Sequence, residues 1–207
     1  MPTFVFIHGA RATSASFNYI RTKLDDHYPD RTDVLLNYNS NESFLTNLDK
    51  MVEELDNAGD ELFFIGHSLG GIYAFHLANS LSERTIGGVT ISTPYGGSVE
   101  AYFLRFLMPQ SALLADIVPS SAIMQCASSN SLTVPWANIV TTGGGSPFIV
   151  SRNDGVVTYS SMTANQNMNF FYIEENHYEI LLSTSTIGII KTQYDYCIQQ
   201  HSKYQFD

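Results

Sequence analysis

The chain has 207 residues, 44% of them hydrophobic and only 14% charged, which fits one globular domain with a substantial core and excludes a disordered chain. A formal net charge of −10 excludes nucleic acid as a partner and electrostatic docking on an anionic membrane, since both need a basic surface. The two cysteines, Cys126 and Cys197, lack metal-ligand spacing, so no zinc site is expected and separate thiols are favoured over a disulfide.

Apolar runs and helical patterns alternate along the chain. Residues 3–7 (TFVFI) read as a strand, 17–28 as a helix, and 33–38 (DVLLNY) as a second strand. Residues 43–57 carry Phe44, Leu48, Met51, Val52 and Leu55 at helical spacing. Residues 62–65 (LFFI) form a third strand, followed by a helix to about residue 82 and a fourth strand over 86–92 (IGGVTIS). The rhythm then breaks: 93–136 shows short apolar clusters but no clear strand. Strands resume at 138–142 (NIVTT) and 169–173 (NFFYI), and 180–199 reads as a closing helix. Apolar strands alternating with helices imply a mainly parallel sheet of about six strands covered on both faces, a three-layer α/β/α sandwich. One domain over 1–207 is expected, with a short cap-like insertion at about 95–135. In such folds the site lies at the carboxyl ends of the strands. The N-terminus lacks the basic and apolar regions of a signal peptide, and no segment approaches the length of a membrane span. A cytoplasmic protein without stable membrane insertion is therefore expected.

Between the third strand and its helix stands Gly66-His67-Ser68-Leu69-Gly70, a G-x-S-x-G sequence in the context that a nucleophile elbow requires. The tight turn lifts the Ser68 hydroxyl clear of the sheet, and glycines two before and two after it avoid collisions with the neighbouring backbone. A serine acting only as a helix N-cap is the plainer alternative, and the strand and helix on either side favour the nucleophile. Serine needs a base. Of six histidines, His67 lies inside the elbow, His76 is two turns down the helix, and His27 and His201 are remote. His8 follows the first strand and is expected to brace that loop. His177 follows the last strand, at the edge where Ser68 sits, and is the expected base. Asp154, in the polar loop "SRNDGVVTYSS", is the expected orienting carboxylate, a plain Asp-Gly turn being its alternative. The oxyanion donors are expected at the backbone N–H of Leu69 and, from the loop after the first strand, of Ala10, with Arg11 as the fallback.

The segments "FVFIHG", "FIGHSLGG", "ISTPYGGS", "NDGVV" and "NHYEIL" resemble, over essentially the whole chain, the α/β-hydrolase superfamily and its lipase-like branch. The resemblance implies ester hydrolysis through an acyl-enzyme, without a cofactor. The family's usual first two strands have no counterpart before residue 3, and the short cap makes a large interfacial lid doubtful. Tyr38, Tyr95, Phe103 and Phe106 are expected to line a substrate groove, with ordinary packing against the sheet as the alternative for Phe103 and Phe106. The expected partner is a small-molecule or lipid ester. A thioesterase, an acyltransferase or a glycolipid deacylase could use the same triad, and a non-catalytic binding module is the reading from a different class.

Overall fold

The computed structural model describes residues 1–97, 113, 116–146 and 149–204. In chain order it contains β1 (Thr3–Ile7), α1 (Asn18–Asp25), β2 (Thr32–Leu36), α2 (Phe44–Leu55), β3 (Leu62–His67), α3 (Leu69–Ser80), β4 (Thr85–Ile91), α4 (Ala122–Ser129), β5 (Trp136–Thr141), β6 (Asn169–Ile173) and α5 (Thr184–Tyr204). The six strands form one sheet in the order β2-β1-β3-β4-β5-β6, and every pairing is parallel.

Alternate residues of each inner strand go to opposite faces, as the period of two demands. Phe4 and Phe6 of β1 join Phe63 and Ile65 of β3 in a core with Ile20 and Leu24 of α1 and Ile190 and Tyr194 of α5. Val5 and Ile7 join Phe64 in the opposite core with Phe44, Met51 and Leu55 of α2 and Ile72 and Leu77 of α3. The sheet is therefore sandwiched between two helical layers. Nine residues of α3 are buried, which explains why it lacks the polar stripe of a surface helix. α2 starts at Ser43, whose hydroxyl accepts from the Thr46 N–H at 3.1 Å.

The chain winds first to β2 and then back past β1 to β3, so the strand order reverses between β1 and β3. That reversal opens a crevice at the carboxyl ends of β1 and β3, where ligands bind in open α/β sheets. The loops after these two strands carry Gly9-Ala10 and Ser68.

The expected strands are all present, with shifted ends. β2 stops at Leu36, paired with Ile7, where β1 also stops. Tyr38 then leaves the sheet to stack on His8, with ring centroids 4.6 Å apart. Both cysteines are free thiols, Cys197 buried and Cys126 half-buried. Among the described residues no helix is long and apolar enough to cross a membrane.

Candidate active site

Ser68 joins β3 to α3 with φ 52° and ψ −123°, a left-handed conformation that side chains other than glycine rarely adopt and that clusters at functional sites. The surroundings hold it there. The Ser68 N–H donates to the Ile91 carbonyl at 2.8 Å, and the Ser68 carbonyl accepts from the Gly71 N–H at 3.0 Å. A Cβ at Gly66 would lie 2.6 Å from Gly71 Cα, and one at Gly70 would lie 2.1 Å from the Ile7 carbonyl oxygen. Both flanking glycines are thus required by close approach, as the motif implies. Ser68 keeps 9% of its surface exposed, at the N-terminus of α3, where unpaired N–H groups favour negative charge.

Asp154 and His177, 23 residues apart, meet at the same end of the sheet: Asp154 Oδ2 accepts from His177 Nδ1 at 2.8 Å. A carboxylate only accepts, so Nδ1 carries the proton and the lone pair of the neutral ring lies on Nε2. The other contacts of the carboxylate are equally specific. Its Oδ2 also accepts from the Thr141 hydroxyl at 2.6 Å, and its Oδ1 accepts from the Val156 and Val157 N–H groups at 3.0 and 2.7 Å. Burial pushes the Asp154 pKa up, but the His177 hydrogen bond and charge, the Thr141 hydroxyl and the Val157 N–H outweigh it and hold the group below its ordinary value. Thr141 gives its one proton to Asp154, so Ser92 must donate to Thr141 Oγ1 across their 2.7 Å contact. Ser92 stands at the end of β4 with φ 52°. The backbone repeats the pairing, since the His177 N–H donates to the Asp154 carbonyl at 3.0 Å.

After β1, the Ala12 N–H closes a turn onto the Gly9 carbonyl at 3.2 Å, with Arg11 in the left-handed region at φ 60°. His8 Nδ1 donates to the same carbonyl at 2.8 Å, the bracing expected of it. Among the described residues the Ala10 N–H has no acceptor. Ala10, Ser68 and Leu69 line one cavity of about 50 Å³, whose other walls include Ile72, Ile117, Met124, Val156 and Val157. The cavity thus brings the serine and both expected oxyanion donors to one place, beside the two residues that hold the Asp154 carboxylate.

The expected substrate contacts fare differently. Tyr95 is fully buried; its hydroxyl accepts from Trp136 Nε1 at 2.9 Å and bonds Thr90 Oγ1 at 3.1 Å. It belongs to the core beneath α3 and meets no substrate. Tyr38 does not line the Ser68 cavity either: its ring packs against His8 and Tyr73, and the residue borders a separate groove with Asn39, Glu42 and Lys50. Phe103 and Phe106 lie outside the described residues. Sequence reasoning missed Thr141 and Ser92, because a hydroxyl at a strand end carries no pattern of its own. It also placed His67 aside, whereas the His67 ring packs 4.8 Å from that of His177.

A model of the alpha/beta hydrolase family matches residues 4–158. Among solved structures, an alpha/beta superfamily hydrolase from Oenococcus oeni is similar at 15% identity and TM-score 0.64, over 95% of this chain and 93% of that one. A Bacillus licheniformis lipase is similar at 15% identity and TM-score 0.69, over 92% of this chain and 91% of that one. A thermophilic esterase from Thermogutta terrifontis is similar at 13% identity and TM-score 0.60, over 95% and 90%. No curated protein matches the sequence.

Proposed function

The chain belongs to the alpha/beta hydrolase family, and we propose that within it the protein is a serine esterase that cleaves carboxylic esters of small acyl groups. The observation that carries this reading is the His177–Asp154 hydrogen bond of 2.8 Å, made at the strand ends where the elbow presents Ser68. An imidazole whose Nδ1–H is fixed by a buried carboxylate keeps Nε2 as a proton acceptor and is stabilised when it becomes an imidazolium.

Ser68 Oγ attacks the ester carbonyl while His177 Nε2 takes its proton. The carbonyl oxygen becomes an oxyanion and is met by the Leu69 and Ala10 N–H groups. Collapse of this intermediate breaks the bond to the alkoxy oxygen, which leaves with the proton from His177. Water, deprotonated by the same Nε2, then attacks the acyl-enzyme, and collapse of the second intermediate releases the acid as the proton on Nε2 returns to Ser68 Oγ. The apolar cavity of about 50 Å³ is the place for the acyl group. A cavity this small favours a short acyl group. The lipase and the esterase that share this fold support a carboxylic ester as the substrate.

The test is a series of p-nitrophenyl esters from acetate to palmitate, beside labelling with a fluorophosphonate. Hydrolysis is expected for the short esters, with the adduct placed on Ser68 by mass spectrometry. Ser68→Ala and His177→Ala are each expected to lower turnover about 10³-fold or more, and the double variant little further, because the residues act as a unit. An adduct on another serine, or full activity in Ser68→Ala, overturns the reading.

A further inference from the structure

We propose that His67 is a positioning residue that ties the loop carrying His177 to the nucleophile elbow and so sets the distance between base and nucleophile. The inference rests on the esterase reading above and adds to it a fourth residue that touches no substrate.

His67 is the last residue of β3 and is 2% exposed. Its Nε2 lies 2.9 Å from the His177 carbonyl oxygen. A carbonyl can only accept, so Nε2 carries the proton and Nδ1 is bare. That Nδ1 is buried and makes no hydrogen bond among the described residues. It faces the loop after β1 so closely that a Cβ at Gly9 would lie 2.9 Å from it and 3.2 Å from Ser68 Cβ. An unsatisfied buried nitrogen is unfavourable, and an apolar side chain filling the same space would avoid it. The imidazole is explained instead by the one bond it does make.

That bond closes a short circuit. The peptide groups of His177 are held on both sides: its N–H donates to the Asp154 carbonyl at 3.0 Å, and its carbonyl accepts from His67. His67 is covalently joined to Ser68. The path from nucleophile to base therefore runs through one peptide bond and one hydrogen bond, and the path from base to acid through a second. His67 also stays uncharged while its neighbour takes a proton. It faces His177, Asp154 and His8, and burial first, then His177, lower its pKa to about 3. No second cation arises beside the imidazolium.

The test compares His67→Phe, which fills the space without the donor, with His67→Gln, whose amide N–H can reach the same carbonyl, and His67→Asn, which is too short. Turnover of p-nitrophenyl acetate and the rate of fluorophosphonate labelling are read beside thermal unfolding. In His67→Phe and His67→Asn kcat is expected to fall about 10–100-fold through loss of alignment, with KM nearly unchanged, whereas His67→Gln keeps most of the wild-type kcat. Wild-type kcat in folded His67→Phe or His67→Asn overturns the proposal, as does a folded His67→Gln as impaired as the other two. If His67→Phe does not fold, the comparison of His67→Asn with His67→Gln decides. Ser68→Ala and His177→Ala separate the two levels. Activity surviving in them sinks the esterase reading itself, whereas loss there with normal His67 variants sinks only the role of His67.

Discussion

At the scale of single residues, the site is built from groups whose protonation is fixed by what surrounds them, and this has a consequence for stability. His67 has its pKa lowered from 6.5 to about 3 by burial and by His177. In the unfolded chain it takes a proton near its ordinary value. Its contribution to stability is therefore fully present above about pH 6.5 and is lost as the pH falls through that value towards 3, at about 1.4 kcal/mol per unit. His76, lowered by burial, acts in the same direction. Asp154 is also held below its ordinary value; its contribution is present above about 3.8 and disappears on further acidification. The unfolding midpoint in urea is thus expected to fall steadily from pH 7 to pH 4. His67→Gln is expected to flatten that slope, and an unchanged slope would show that His67 is not held neutral in the native state. Thr141→Val is expected to cost about 1.5–3 kcal/mol, the range for a hydrogen bond to a charged group, read from the same denaturation at pH 7. Ser68, Asp154 and His177 were legible in the sequence as candidates because each follows a predicted strand. The bond from His67 was not, because it joins residues 110 positions apart through a main-chain oxygen that no side-chain pattern reveals.

At the scale of elements, contiguous apolar runs identified the four inner strands, since a strand buried on both faces needs no alternation, and shorter apolar runs identified the half-buried edge strands β2 and β6. Their ends were less legible. β2 ends where Tyr38 turns to His8, and a tyrosine at a strand end reads the same whether its ring stacks on a loop, enters the core or faces a ligand. Tyr95 shows the same ambiguity resolved towards the core, by the Trp136 and Thr90 partners of its hydroxyl. The stretch between β4 and β5 carried no strand signal, and its described part contains α4. Ser121 caps that helix by accepting from the Met124 N–H at 3.1 Å, and His76 Nε2 donates to the Ile123 carbonyl at 3.1 Å, docking α4 on α3. Nearby, Asp116 Oδ2 accepts from the Phe44 N–H at 2.8 Å, placing a carboxylate at the N-terminus of α2, where the helix dipole favours it. α4 in this way supplies Met124 to the wall of the Ser68 cavity. Met124→Ala is expected to move the preferred acyl chain longer by one or two carbons. Each accommodated CH₂ contributes about 0.8 kcal/mol, roughly fourfold in kcat/KM. Met124 is 1% exposed, so the truncation also costs about 2–5 kcal/mol of stability, and the ester series is to be read well below the variant's melting point. An unshifted maximum would show that α4 does not bound the acyl group.

At the scale of the whole molecule, two apolar cores lie on opposite faces of one parallel sheet, and the inner strands serve both. Phe63 and Phe64 are neighbours in β3 and enter different cores, so neither core can dissolve without disturbing a strand on which the other depends. The expectation of a single domain becomes on this ground a prediction of one cooperative transition. Cys197 offers the probe. It sits on α5 with its sulfur against the Pro135 carbonyl, at 3.7 Å, just before β5, and burial pushes its pKa up to about 12. A buried, protonated thiol does not attack a disulfide reagent until it is exposed. Cys126, half-buried, is expected to react in the native protein, and Cys197 only as the fold opens. The free energy of the opening that exposes Cys197 is then expected to match the global value from urea denaturation, with circular dichroism and tryptophan fluorescence of Trp136 giving coincident curves. Reaction of Cys197 at an opening energy well below the global one would show that α5 detaches by itself, and that the two cores are separate cooperative units sharing a sheet.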